Sequence, residues 1–278
     1  MARLSLLIDV TKCSGCHNCF LACRDEHFGN EYPGYSAAQP LGGQFWMQVK
    51  EVERGTFPRP KLDYVPTPCL HCEAAPCETA ARDGAVYRRP DGIVIIDPQK
   101  ARGQDRIVNA CPYRVIFWNA DLELPQKCNL CAHRLDAGDK QPRCAESCPT
   151  GALVFGDLDD PQSQIALLSA SLPVEAYHPE YETAPLVRYV GIPKRMVTGE
   201  IVLEGAGDVC AHGVKVTLEG DGVRLETRST VFGDFELDGL AAGRAFRLTV
   251  THDGYAPREI DVHTRRDVDL GEIVLTAS

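Results

Sequence analysis

Twelve cysteines fall into tight groups, and this grouping limits the possible folds more than any other feature of the sequence. The groups are Cys13, Cys16, Cys19 and Cys23; Cys69, Cys72 and Cys77; Cys111; and Cys128, Cys131, Cys144 and Cys148. A thirteenth cysteine, Cys210, stands apart and is expected to be a buried free thiol. An odd number of cysteines, with no secretory signal before them, argues against a disulfide framework and favours metal binding.

The first motif, Cys13-x2-Cys16-x2-Cys19-x3-Cys23, indicates [4Fe–4S] clusters. Three cysteines at two-residue spacings let one loop wrap three iron atoms, and the fourth begins a helix and reaches the other cluster of a pair. Zinc is the alternative. It fits poorly, because zinc sites usually combine two separated Cys-x2-Cys knuckles around one tetrahedral ion.

Composition and termini exclude several other classes of protein. The net charge of −10 and pI near 5.3 argue against nucleic-acid binding, which needs clustered cations. No apolar run approaches the ~20 residues that span a bilayer. The chain reaches Cys13 with no room for a cleavable signal, so we expect a cytoplasmic protein unless a partner carries it out folded. No phosphate loop, nucleophile elbow or paired acid motif is present, and no catalytic residue is predicted.

The chain divides by composition into a cysteine-rich part and a strand-rich part. We predict an α+β protein with a ferredoxin-like domain at 1–171, a surface linker at 172–195 and an all-β sandwich at 196–278. In the first domain we expect a strand near 44–52, a hairpin at 85–96, and helices at 97–109 and 162–168. The predicted strands of the sandwich are 197–203, 214–219, 223–229, 234–237, 246–252, 258–262 and 268–275.

The later cysteines complete a known pattern. Cys128-x2-Cys131-x12-Cys144-x3-Cys148-Pro149, taken with the first motif, resembles the four-cluster iron–sulfur subunits of the dimethyl sulfoxide reductase family of molybdenum enzymes. In that family the outer two motifs share ligands and the inner two do likewise. The resemblance implies one cluster on Cys13, Cys16, Cys19 and Cys148. It implies a second on Cys128, Cys131, Cys144 and Cys23.

The chain departs from this family at one of its four cluster sites. Ala81, Ala101, Gln104 and Ile107 stand where the family has cysteines. Under the crossed pairing all four missing ligands belong to a single cluster. The remaining cysteines, Cys69, Cys72, Cys77 and Cys111, form the other inner site. The resemblance therefore implies three [4Fe–4S] clusters, with no site left half built.

Charged and imidazole side chains adjoin the motifs. Lys12, Arg24, Lys127 and Arg143 each neighbour a cysteine, and would offset the cluster charge and raise reduction potentials. The alternative is that they are solvated surface cations. Three histidines lie within the motifs, and we expect them to form structural hydrogen bonds rather than to bind iron: His17, His71 and His133.

A closer resemblance lies between the cysteines. Segments such as Tyr32-Pro33-Gly34-Tyr35, Glu53-Arg54-Gly55-Thr56 and Pro66-Thr67-Pro68-Cys69 resemble the small iron–sulfur subunits of the pyrogallol–phloroglucinol transhydroxylase and resorcinol hydroxylase type. Gly233-x-Phe235-x-Leu237, with the residues to Leu248, is similar to the transthyretin-like regulatory domains of carboxypeptidases.

The closer resemblance implies a heterodimer for electron transfer. Its large subunit would hold molybdenum on a bis-molybdopterin guanine dinucleotide cofactor and act on polyhydroxybenzenes. Two alternatives stay open. One is the iron–sulfur subunit of another molybdenum reductase, acting on nitrate, sulfur compounds or arsenic. The other is a subunit whose clusters are mainly structural.

Overall fold

The structure is a computed structural model, and it describes residues 2–205 and 210–278. The chain forms two compact units. The first comprises residues 1–51 and 64–192, and the second comprises residues 52–63 and 193–278. The domain boundaries expected from the sequence stay predictions.

The first unit carries all of the grouped cysteines on short elements joined by ordered loops. Its strands and helices, including two strands that run on into residues 52–63, are Leu4–Asp9 (β1), Asn18–His27 (α1), Gln48–Arg54 (β2), Lys61–Thr67 (β3), Pro76–Ala80 (α2), Val86–Arg88 (β4), Val94–Ile96 (β5), Arg106–Asn109 (α3), Phe117–Asn119 (β6), Leu124–Gln126 (β7), Ala132–Asp136 (α4), Arg143–Glu146 (α5), Leu153–Asp157 (β8), Gln164–Ser171 (α6) and Arg188–Val190 (β9).

The sheet β8-β1-β9 lies in the core of this unit. β1 supplies Leu6, Leu7 and Ile8, each at most 1% exposed, and pairs antiparallel with β8 and parallel with β9. β9 lies inside the predicted surface linker, and that part of the prediction is wrong. Tyr189 is completely buried and its hydroxyl donates to the carbonyl of Pro66 (2.9 Å), so this stretch belongs to the core.

The hairpin predicted at 85–96 is confirmed as β4 and β5, with Val86 opposite Ile96. The helix predicted at 97–109 is mostly wrong. The Asp97 carboxylate accepts the N–H of Gln99 and opens a turn, but Gly103 has φ of 73° and the chain becomes helical only in α3. A left-handed residue ends a helix because its carbonyl no longer points along the axis.

The helix predicted at 162–168 forms as α6, two residues further on. Its N-cap is Ser163, whose hydroxyl accepts the N–H of Ala166 at 3.2 Å. The cap is therefore this serine rather than the Asp160 that precedes the proline.

The second unit is a sandwich of two sheets. Its strands are Arg195–Leu203 (β10), Lys215–Gly220 (β11), Val223–Arg228 (β12), Asp234–Leu240 (β13), Ala245–Thr251 (β14), Arg258–His263 (β15) and Val268–Leu275 (β16). One sheet has the order β13-β10-β16 and the other β12-β11-β14-β15. Phe235, Leu237, Phe246 and Leu248 lie in the shared core, as the alternation in the sequence predicts.

All seven predicted strands of the sandwich overlap observed ones. The prediction that Cys210 is a buried thiol is wrong, because this free cysteine is exposed to solvent. It follows residues 206–209, which lie outside the described chain, and precedes the buried Ala211. A transthyretin-like identity for this domain stays a prediction.

Residues 52–63 form the turn of the β2–β3 hairpin and join the second unit through charged contacts. Arg54 is 8% exposed, and its guanidinium donates to Asp63 (2.6 Å) and to both carboxylate oxygens of Asp238 (2.7 and 3.1 Å). Arg59 and Lys61 pair with carboxylates of β13. Sequence patterns did not indicate β3 or this attachment.

Candidate metal centres

Three of the four Cys-x2-Cys loops turn through a left-handed residue just before their second cysteine. The residues are Gly15, His71 and Leu130, with φ of 67°, 48° and 50°. Turns of this kind aim successive backbone N–H groups into one concavity, which binds anions and is used in many iron–sulfur sites. In the loop between Cys128 and Cys131, the N–H of Leu130 donates to Sγ of Cys128 at 3.4 Å. The backbone of the loops therefore suits a negatively charged group.

Cys148 joins the three cysteines that open the first motif. Burial raises the pKa of the Cys19 thiol to about 12, and the charges of Cys13, Cys148 and Cys16 add to the rise. Like charges shift a pKa in this way only when the groups are neighbours. Cys148 follows α5, and its Sγ lies 3.7 Å from Oγ1 of Thr150. The structure thus brings the last motif to the first, at the start of α1.

Cys23 faces a different set. Burial raises the pKa of Cys23 well above its ordinary value, and the charges of Cys128 and Cys131 raise it further. Burial also raises the pKa of Cys144 well above its ordinary value. The charges of Cys131, Cys128 and Cys23 raise it further. A smaller effect of Cys19 on both thiols reflects its position one turn before Cys23 on α1. One helical turn carries Cys23 away from the first loop, and the crossed pairing, which stays a prediction, requires this placement.

The third set surrounds a cavity of its own. Cys69, Cys72, Cys77 and Cys111 all line it. Burial raises the pKa of Cys77 to about 12 and that of Cys72 to about 11. The rest of the wall is largely apolar and includes Leu70, Ala75, Pro76, Val94, Val115 and Ile116.

The position of the fourth family site holds apolar side chains. Ala101 and Ile107 are completely buried and pack in one core with Val86 and Ile96, against which the partly buried Ala81 lies. Gln104 does not enter this core. Its side-chain amide accepts the N–H of Arg82 (2.8 Å) and donates to the carbonyl of Lys100 (2.8 Å). Apolar packing therefore occupies much of the position where the family resemblance implies a fourth site.

The three sets fit iron–sulfur clusters chemically. All thirteen cysteines are free, and burial raises the pKa of most of the grouped thiols. Bound iron would supply the positive charge that holds such thiols as thiolates. In the described residues no three Cys, His, Asp or Glu side chains are arranged for a single metal ion. A cubane differs, because each thiolate binds a different iron atom.

The four cations beside the motifs have different environments. Lys12 is 49% exposed and pairs with Asp9 (3.1 Å), and Arg143 pairs with Glu146 (2.8 Å). Arg24 donates to the side chain of Gln39 and to loop carbonyls. Only Lys127 is fully buried, at 3% exposure. The alternative of a solvated surface cation therefore holds for Lys12 and is wrong for Lys127.

Two of the three motif histidines form the structural hydrogen bonds that the sequence predicts. Nδ1 of His71 accepts the N–H of Val94 (3.0 Å), and Nε2 of His133 lies 2.9 Å from Glu26. For His17 the role stays a prediction. Sequence reasoning missed His27, whose Nε2 lies 3.8 Å from Sγ of Cys131. The only signal for it was its position four residues after Cys23, on the same face of α1.

Within residues 2–205 and 210–278, no helix has the length and apolar character needed to cross a membrane.

Comparison with known proteins places the chain in a family. Residues 60–158 match the family described as "4Fe-4S dicluster domain". The chain is 40% identical to the pyrogallol hydroxytransferase small subunit of Pelobacter acidigallici, over 99% of this chain and 100% of that protein. It is 32% identical to the arsenate respiratory reductase iron–sulfur subunit of a Shewanella species, over 68% of this chain and 96% of the relative.

Solved structures give weaker likenesses. A cohesin–X-dockerin complex from Acetivibrio cellulolyticus matches 30% of this chain and 58% of its own, at 24% identity and a TM-score of 0.26. A TM-score this low does not show a shared fold. The sequence relatives, together with the cysteine sets, show that the chain belongs to the [4Fe–4S] iron–sulfur subunits of molybdenum oxidoreductase complexes, a family that includes the pyrogallol hydroxytransferase small subunit.

Proposed function

We propose that this chain is the electron-transfer subunit of a heterodimeric molybdenum enzyme that hydroxylates or transhydroxylates polyhydroxybenzenes such as pyrogallol and resorcinol. Three clusters would sit on the three cysteine sets. The larger partner would hold molybdenum on a bis-molybdopterin guanine dinucleotide cofactor. The single observation that carries the proposal is the combination of three complete sets with a fourth position closed by Ala101 and Ile107.

When bound, [4Fe–4S] clusters accept and donate single electrons. The chain's own residues would hold them at fixed positions and keep water away. Seven of the twelve grouped cysteines are buried by the surrounding short helices and loops. Cys69 and Cys128 belong to different sets. Burial is the main cause of the raised pKa of Cys128, and the negative charge of Cys69 raises it further. Two of the sets are therefore neighbours within the first unit.

The polyhydroxybenzene assignment rests on the relative from Pelobacter acidigallici, which matches this chain from end to end. A transhydroxylase moves a hydroxyl between aromatic rings with no net redox change. A hydroxylase exports an electron pair in every turnover. Both would use the same small subunit, so the assay must separate them.

The decisive experiment is purification of this chain with its large partner, followed by a substrate screen. The chain alone should be redox active and inert toward phenols. Oxidation of resorcinol that depends on ferricyanide would identify a hydroxylase. Conversion of pyrogallol without an acceptor, given a tetrahydroxybenzene co-substrate, would identify a transhydroxylase. Activity on arsenate, nitrate or polysulfide, with none on phenols, would overturn the assignment.

One observation favours a second candidate. The match to the arsenate reductase iron–sulfur subunit covers 96% of that relative. Relatives of enzymes with different substrates thus share the cluster-bearing part, so this part alone does not identify the substrate class. An arsenic, nitrate or sulfur-compound reductase is therefore the alternative. A subunit whose clusters are only structural would show unchanged cluster spectra during turnover, measured by electron paramagnetic resonance.

A further inference from the structure

Lys127 carries a charge into the protein interior without an acidic partner. Its ammonium donates to the carbonyl oxygens of Val94 and Cys128, the second at 3.1 Å. In the described chain no carboxylate pairs with it, although Lys12 and Arg143 beside the other motifs are paired. A buried charge is costly unless it is paired, so Lys127 requires a negative group nearby.

His71 presents an unsatisfied donor at the third cysteine set. The ring is completely buried, and its Nδ1 accepts the N–H of Val94 at 3.0 Å. That bond places the ring proton on Nε2. Nε2 has no hydrogen-bond partner among the described residues, and His71 lines the cavity shared by Cys69, Cys72 and Cys77. A buried N–H without a partner is unfavourable, so this one requires an acceptor in the cavity.

Both donors are fixed by the same residue of β5. Val94 offers its N–H to His71 and its carbonyl to Lys127, and its side chain lines the cavity. Val94 is 1% exposed and paired to β4, so the anchor is rigid. The charge of Lys127 acts on Cys77 of this set and on Cys128 of the neighbouring set, and at both thiols it opposes part of the pKa rise that burial causes.

We propose that His71 and Lys127 are positioning residues that make the cluster on Cys69, Cys72, Cys77 and Cys111 the one of highest reduction potential. His71 Nε2–H would donate to a sulfur of this cluster, and the Lys127 ammonium would lie beside it. The inference rests on the proposed three-cluster function. Reduction adds a negative charge, and an N–H donor or a cation near the sulfurs favours that state. Electrons that enter the subunit then settle at this site.

The test is potentiometric titration of the purified complex, followed by electron paramagnetic resonance. Loss of one signal in Cys111→Ser assigns the cluster. In the unmodified complex the assigned cluster should be reduced first. In the Lys127→Met and His71→Phe variants, the ratio of reduced to oxidised assigned cluster at a fixed potential should fall by about tenfold. This fall corresponds to a decrease of about 59 mV in the reduction potential of a one-electron couple. The cluster on Cys13, Cys16, Cys19 and Cys148 should not shift.

Two further variants serve as controls. Lys127→Arg keeps the charge and should change the ratio by less than about threefold, whereas Lys12→Met removes an exposed, paired cation and should leave the assigned cluster unchanged. The inference is overturned if the assigned cluster is not reduced first, if it does not respond to either variant, or if all three clusters shift equally. The order of reduction in the unmodified complex decides the matter even where a variant fails to load. Absence of clusters from the complex would instead refute the proposed function.

Discussion

Replacement of Arg54 by methionine should loosen residues 52–63 from the sandwich. The guanidinium makes four hydrogen bonds within the second unit, to Asp63, to both oxygens of Asp238 and to the carbonyl of Lys194 (2.8 Å). A hydrogen bond to a charged group contributes about 1.5–3 kcal/mol, and breaking a buried ion pair costs about 3–5 kcal/mol. Methionine retains much of the length of the side chain but none of its donors.

The carboxylates are only partly buried, and this reduces the cost. Asp63 is 29% exposed and Asp238 is 35% exposed, so water solvates both once Arg54 is gone. We therefore expect a loss of about 2–4 kcal/mol in the local opening free energy, which is roughly a 30- to 1,000-fold change in the opening equilibrium. Arg54→Lys should give an intermediate loss, because an ammonium cannot reproduce the forked contact with Asp238.

Native-state hydrogen exchange measures this opening directly. The N–H of Gly55 donates to the Asp267 carboxylate (2.8 Å), and its exchange rate reports the attachment. The matched control is Arg247→Met. Its side chain is 59% exposed and pairs with exposed carboxylates of β15, so it should cost no more than about 1 kcal/mol. A change at Gly55 no larger in Arg54→Met than in the control would refute the reasoning.

The remaining predictions concern the metal centres, acidity and truncation. Anaerobic analysis of the chain should give about twelve iron and twelve acid-labile sulfide with negligible zinc, from three sites of four cysteines; sixteen iron or stoichiometric zinc would contradict it. Cys23→Ser should remove the signal of the cluster assigned to the Cys128 motif and spare that of Cys13; the reverse loss would refute the crossed pairing. The Tyr35 phenol donates to Asp136 (2.5 Å), and this bond raises the phenol pKa above its usual 10. Its stabilising contribution is therefore complete below pH 10 and lost as pH rises through the shifted value. A tyrosinate difference titration against Tyr35→Phe measures this, and Asp136→Asn should return the pKa toward 10; an ordinary pKa in the unmodified protein would contradict the contact. Truncation after Arg195 should leave the clusters in place and weaken association with the large subunit, while residues 52–63 become sensitive to protease; unchanged affinity would assign the sandwich another role.

Much of the site was accessible to sequence reasoning because iron–sulfur motifs are local. A loop with cysteines at two-residue spacings needs no distant residue to be shaped for a cluster, and the left-handed turns at Gly15, His71 and Leu130 are properties of those short loops. The alternation of Phe235 and Leu237 likewise predicts a core strand, since side chains of a strand alternate between its faces.

Other features depend on contacts between residues far apart in sequence. β9 forms because residues of a proline-containing stretch pair with β1, about 180 residues earlier in the chain, and local composition does not encode that pairing. The helix predicted at 97–109 fails where the N–H of Gly103 donates to the carbonyl of Glu123 (2.7 Å). Such tertiary bonds override helical preference, which is weak for any single residue.

The amino-acid sequence by itself determined the spacing of the cysteine motifs and the seven strands of the sandwich, and it predicts which cysteines share a cluster and which family site is missing. Only the tertiary structure decided that Lys127 is buried while Lys12 is solvated, that Val94 holds both Lys127 and His71, and that Cys210 is exposed. The physical reason is that spacing along the chain fixes which atoms a short loop can offer. Burial and the partners of a charge depend on what the rest of the chain packs against it.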